Sequence, residues 1–217
     1  MTDLLILAAL LVDLRSDPSA TGEAGRIAAE SAYARLHGRR PPTVRTNSGA
    51  LRRPGGAFVT VVKGGKVRGC WGSIHASAPD LASEIAAAAA KAMDTDYRHR
   101  PINLREWGEI RLIVSVVGPL QRLAPGEAAD PMREGLFITS GSRGGVLLPG
   151  EARTPRYQRE ACLLKAGLGA QDAASSFRFE TWTAEFDTAG RPSALPGGTE
   201  GAVPGGVPAA RQGVAAR

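Results

Sequence analysis

Two β-branched, apolar runs meet at Lys63-Gly64-Gly65-Lys66, and this junction constrains the fold more than any other stretch of the chain. Ala57-Phe58-Val59-Thr60-Val61-Val62 precedes it and Val67-Arg68-Gly69-Cys70 follows. Gly-Gly between two such runs is a favoured two-residue hairpin turn, because both central positions tolerate positive φ. The returning strand ends in Val67-Arg68-Gly69-Cys70-Trp71-Gly72, where a cysteine lies between two glycines with an arginine two residues before it. Glycine permits a sharp turn or a close approach. A cationic neighbour favours the reactive thiolate over the thiol. The competing interpretation is a tight turn after a strand, with Cys70 as a small buried hydrophobe.

The rest of the chain alternates between helical and extended patterns. Residues 23–36 carry an apolar stripe at Ile27, Ala28, Ala32 and Leu36, with Thr21 as the expected N-cap and residues 15–22 as a polar break. Residues 79–93 contain five consecutive alanines, with Asp80 and Glu84 early and Lys91 late, which suits the helix macrodipole. Residues 110–117 read as a strand, and residues 135–139 and 145–148 as a second hairpin around Ser140-Gly141-Ser142-Arg143-Gly144. A helix is expected over 156–164 with Gly167 in a left-handed C-cap, and a single closing strand over 177–186. Hairpins link the strands as often as helices do, which predicts an α+β fold: a mostly antiparallel sheet with helices packed against it. The expected organisation is an N-terminal extension over 1–21, one domain over 22–187 and a disordered Gly/Pro/Ala-rich tail over 188–217.

Composition narrows the function classes. The net charge of +6 comes from basic residues spread along the chain without a run of five, so no nucleic-acid arm is indicated. Two cysteines and three histidines offer neither a disulfide framework nor zinc-ligand spacing, and no cofactor motif is recognised. A reducing cytoplasm is the expected compartment. Leu4-Leu5-Ile6-Leu7-Ala8-Ala9-Leu10-Leu11-Val12 is too short to span a bilayer and lacks a basic residue before it, against a secretory signal. It is expected to be a helix docked on the core, or to precede the true start.

Several motifs together resemble one family. Gly56-Ala57-Phe58-Val59-Thr60 leading into Val67-Arg68-Gly69-Cys70-Trp71-Gly72 is similar to the LRGCIG signature of the AMMECR domain family. Asp96-Tyr97-Arg98-His99-Arg100-Pro101 resembles that family's D-P-R-F-x-P segment. Gly135-Leu136, Leu147-Leu148-Pro149 and Lys165-Ala166-Gly167-Leu168 follow in the family's order. Trp71 stands where isoleucine is usual, His99 where phenylalanine is, and Gly150-Glu151 where glutamine and valine are. The resemblance implies the fold, no established reaction, and genomic association or fusion with Memo-like and radical-SAM proteins, as in AmmeMemoRadiSam systems.

Three functional expectations follow. The first is a partner module that docks Memo-like or radical-SAM proteins through a cleft around the Cys70 motif, with Trp71 as an anchor. The second is a cysteine-dependent enzyme or covalent carrier. Cys70 is then the nucleophile, Arg68 lowers its pKa or holds an anion, and Gly69 and Gly72 open the backbone to a small-molecule ligand. Asp96 and Arg98 complete that pocket, and His75 or His99 is the base. The third and weakest is nucleic-acid binding, which lacks an aromatic stacking platform.

Overall fold

The structure, a computed structural model, describes residues 2–189; the expected disordered tail lies almost wholly outside them. Helix α1 (Thr2–Ser16) is followed after one residue by α2 (Pro18–Leu36). Asp17 is the N-cap, its carboxylate accepting from the Ser19 N–H at 2.9 Å, and Pro18 occupies the first helical turn where a missing N–H costs nothing. The helix therefore begins before Thr21, and the polar break shrinks to a single residue. Leu10, Leu11 and Leu14 of α1 are buried in the same core as Ala24, Ile27 and Ala28 of α2, so the end of the apolar run over residues 10–11 docks on the core as part of a helix.

Among the described residues, eight strands form two four-stranded antiparallel sheets. The first has the order β2-β1-β3-β8, with β1 Ala57–Lys63, β2 Lys66–Gly72, β3 Ile110–Val117 and β8 Thr181–Asp187. The second has the order β4-β7-β5-β6, with β4 Gln121–Arg122, β5 Gly135–Ser140, β6 Arg143–Leu147 and β7 Ser175–Phe179. The alternation over 177–186 reads as one strand, but the chain breaks at Glu180 and passes from the second sheet to the first. It crosses beside the β3–β4 connection, where the Gly118 N–H donates to the Glu180 carbonyl at 2.9 Å.

Helix α3 (Leu81–Ala92) packs between α2 and the β1–β2 hairpin, and its alanines let both neighbours approach closely. Helix α4 (Pro155–Ala166) covers β5 and β6, burying Cys162, Leu163 and Ala166 against Leu136, Ile138 and Leu147. Gly167 ends it at φ 64°, as the left-handed cap requires. A third cluster joins the sheets through Phe58, Val117, Leu148 and Phe179, with Cys70, Phe137 and Val146 packed against it. The edge strands β2 and β6 flank this junction, and a cleft opens where they do not cover it.

Candidate functional site

The turn Gly64-Gly65 has φ of 55° and 74°, and Lys63 pairs with Lys66. Beyond it the register slips. Val62 pairs with Val67 but Val61 pairs with Gly69, so Arg68 is the extra residue of a bulge. The bulge re-aims its side chain away from the cysteine. Arg68 Nη2 reaches both carboxylate oxygens of Glu106 at 3.2 Å, beside Lys63 Nζ at 3.3 Å from the same carboxylate. Glu106 belongs to a 3-10 helix, Leu104–Glu109, that starts with a capping box on Asn103. Arg68 thus braces the hairpin and does not line the cleft.

The motif glycines serve packing rather than an unusual backbone, since neither has positive φ. A Cβ on Gly69 would lie 2.3 Å from the Ala92 carbonyl oxygen, at the end of α3. A Cβ on Gly72 would lie 2.3 Å from the Ala57 carbonyl oxygen. Absence of a side chain lets α3 and β1 close on β2; of the two glycines, Gly72 lines the cleft and Gly69 does not.

After α3 the chain turns back, tied by the Ile102 N–H to the Met93 carbonyl at 2.7 Å. This return places Asp96 against the open edge of β2. The Asp96 carboxylate accepts four hydrogen bonds: from the Cys70 N–H at 3.0 Å, the Arg98 N–H at 3.1 Å, and Arg98 Nε and Nη2 at 2.8 Å each. Its side chain is 4% exposed. The Arg98 hydrogen bonds outweigh burial and hold its pKa down at about 2. With its lone pairs committed, Asp96 is a clamp rather than a base. It fixes the strand edge and orients a bidentate guanidinium whose outer side faces solvent.

The cleft that results has a volume of about 350 Å³ and is lined by Cys70, Trp71, Gly72, Asp96 and Arg98. Tyr97, Glu151 and Lys165 line it too, and were not singled out from sequence. Glu151 and Lys165 lie near or within motifs that follow the family's order, but only the packing of α4 beside β6 brings them across from Cys70. Lys165 Nζ donates to the Val146 carbonyl at 2.9 Å and lies 3.8 Å from Glu151. The lining therefore holds two cations and two carboxylates, and it is electrostatically balanced.

Trp71 is half-buried against the first core, with Lys91 Nζ 5.7 Å above its ring. Cys70 Sγ accepts from the Thr60 hydroxyl at 3.3 Å. Burial pushes the Cys70 thiol above its ordinary range; Thr60, Arg98 and Lys165 oppose this, and Glu151 adds to it. The protonated thiol is thus the resting form, contrary to the activation expected from Arg68. Neither imidazole lines the cleft: His75 is exposed beside Phe137, and His99 Nε2 lies 4.0 Å from Asp96. Cys162 is sealed on the buried face of α4, donates to the Leu136 carbonyl, and is pushed up to about 12 by burial. Among the described residues no group of three or more His, Cys, Asp or Glu is placed to hold a metal ion.

The sequence profile of the AMMECR1 family matches residues 25–186. The chain belongs to the AMMECR1 family. A Thermotoga maritima protein is 34% identical over 121 residues, which make up 54% of this chain and 70% of that one. An Aeropyrum pernix protein is 32% identical over 122 residues, 52% of each chain. Protein CA_C1420 of Clostridium acetobutylicum is 32% identical over 119 residues, a match spanning 25% of that longer protein. The crystal structure of the uncharacterised protein PH0010 from Pyrococcus horikoshii superimposes with a TM-score of 0.63 at 21% identity, covering 75% of this chain and 89% of that one. That likeness shows the fold. The AMMECR1 domain of this chain therefore presents a clamped, charge-balanced cleft with a neutral cysteine on its wall. No helix among the described residues is long and apolar enough to cross a membrane.

Proposed function

We propose that this AMMECR1 domain is a binding module whose cleft docks a partner protein, the Memo-like or radical-SAM proteins that the family resemblance suggests. The observation that carries this is Tyr97. It lines the cleft beside the clamped Arg98, yet it is 93% exposed. An aromatic ring held at a rim by a rigid anchor and left in water suits an interface hot spot, because its burial is gained on docking. A resting neutral thiol without an imidazole on the cleft wall suits binding better than nucleophilic catalysis.

The second interpretation, a Cys70-dependent enzyme or carrier, is supported by the position of Cys70 on the cleft wall with Arg98 and Lys165 favouring its thiolate. One titration separates the two. The full chain, Tyr97→Ala and Cys70→Ser are each titrated calorimetrically with the purified Memo-like and radical-SAM proteins. Docking predicts a Kd weakened roughly tenfold or more by Tyr97→Ala, whose exposure leaves the fold unaffected, and changed less than about threefold by Cys70→Ser. Absence of binding by the unmodified chain, or indifference to Tyr97→Ala, rejects the docking role.

A further inference from the structure

The ladder between β1 and β2 fixes which way the end of β2 faces. Residues of an antiparallel pair alternate between exchanging backbone hydrogen bonds with the partner strand and pointing away from it. The Ser73 N–H donates to the Ala57 carbonyl at 3.0 Å, so Trp71, paired with Val59, and Gly69, paired with Val61, also face β1. Cys70 and Gly72 turn their N–H and carbonyl groups the other way. The bond from the Cys70 N–H to Asp96 agrees with that direction. No strand covers this side, because β2 is an edge of its sheet. The Gly72 N–H, the Gly72 carbonyl and the Cys70 carbonyl have no hydrogen-bond partner among the described residues, and both residues line the cleft. On the opposite wall Lys165 Nζ already holds the Val146 carbonyl of β6, so the open backbone edge is that of β2.

An unpaired strand edge is a template for another chain. Asp96 limits what can be added, because its carboxylate takes the Cys70 N–H that a strand running on past Cys70 would need. An added chain can pair with both backbone groups of Gly72 and with the Cys70 carbonyl, and there it stops. Arg98 stands at the stopping point. Asp96 holds its Nε and Nη2, and its Nη1 has no partner among the described residues. The Asp96 lone pairs are committed, and Glu151 accepts from the Leu148 N–H at 2.9 Å, so the chain end meets a free cationic donor. A carboxylate suits that donor and an ammonium does not. The added chain therefore runs antiparallel to β2, with its C-terminus at Arg98. A volume of about 350 Å³ is that of a small ligand's pocket, which fits a chain end better than a continuing strand.

We propose that the cleft takes the C-terminal end of a polypeptide, added antiparallel to β2. The third residue from its end exchanges both backbone hydrogen bonds with Gly72, its last N–H donates to the Cys70 carbonyl, and its carboxylate lies on Arg98 Nη1. The side chains of these two residues fall on the Cys70 Sγ face, among Phe58, Val146 and Leu148, and are apolar. The residue between them turns its N–H to solvent. The inference rests on the docking role proposed above and names the part of the partner that enters.

The test titrates the full chain, followed by amide NMR, with the peptide acetyl-Leu-Ser-Leu bearing a free C-terminal carboxylate. Every change is made on the peptide, so the fold of the domain is untouched. The peptide should shift the amides of Cys70, Gly72 and Arg98. Its C-terminal carboxamide should bind about tenfold more weakly or worse. N-methylation of either leucine should abolish binding, and N-methylation of the serine should change Kd less than about threefold. Unshifted amides at millimolar peptide, equal affinity of acid and carboxamide, or equal damage from methylation at all three nitrogens overturns the inference. A second arm removes the last three residues from whichever of the Memo-like and radical-SAM proteins binds the full chain. Loss of binding supports the C-terminal mode. A truncated partner that binds unchanged, and still depends on Tyr97, overturns this inference and leaves docking standing. Peptide binding with the expected methylation pattern, when neither intact protein binds, rejects those partners and supports the C-terminal site.

Discussion

Replacing Gly69 with alanine is expected to destabilise the domain by about 3 kcal/mol, at the upper end of overpacking costs. The new methyl group would sit 2.3 Å from the Ala92 carbonyl oxygen and 3.9 Å from Ile102 Cδ1. A flexible side chain would swing aside from such a contact, but a backbone carbonyl at the end of a packed helix does not. Strand β2 has little freedom to retreat, because the bulge at Arg68 is held by Glu106 and Cys70 by Asp96. For a domain of this size the loss corresponds to a fall in melting temperature of roughly 6–12 °C. Gly22→Ala is the matched control, since a Cβ there meets nothing within 4 Å inside α2. It should raise stability by about 0.5–1 kcal/mol through helix propensity. A Gly69→Ala melting temperature within a degree or two of the unmodified protein would show that β2 and α3 are not in the close contact described.

The second large effect belongs to Asp96. Its carboxyl titrates at about 2 in the folded chain and near 3.9 when unfolded. A carboxyl whose folded pKa is depressed adds stability that is complete above the unfolded pKa and is lost as pH falls toward the folded one. The difference is worth about 2 kcal/mol, an upper bound because the Arg98 side chain is 42% exposed. Asp96→Asn keeps the shape but removes the charge and puts an amide, with two donors of its own, among four donors. It should cost about 2–3 kcal/mol at pH 7. It should also flatten the part of the pH–stability profile that falls between about pH 5 and pH 2. Chemical unfolding at several pH values reads both effects, and parallel profiles for the two proteins would contradict the clamp.

The features legible in the sequence are those fixed by short-range chemistry. Gly64-Gly65 demands its hairpin, the alanine run and Asp80 specify α3, and Gly167 ends α4, because each needs only neighbouring residues to satisfy backbone groups. The sequence also suggests that Cys70 and the Asp96–Arg98 loop belong together, through the family resemblance. What it conceals depends on long-range pairing. A bulge at Arg68 leaves no local mark, yet it decides that the guanidinium meets Glu106 rather than the cysteine. The break at Glu180 is masked because alternation continues through it while the strand changes sheets. Asp17-Pro18 is a strong helix start, but it is obscured by the polar residues that follow. Lys165 sits on α4, and only the packing of that helix shows that it lines the Cys70 cleft.

If a partner protein covers the cleft on which Cys70 lies, as proposed, the thiol itself can report it. Iodoacetamide labelling of Cys70 is measured at mildly alkaline pH, where enough thiolate forms, with and without a saturating Memo-like or radical-SAM partner. Docking predicts that the partner slows labelling of Cys70 at least about tenfold, while Cys162, already sealed on the inner face of α4, labels slowly and equally in both samples. A complex that forms but leaves the Cys70 labelling rate unchanged would contradict it.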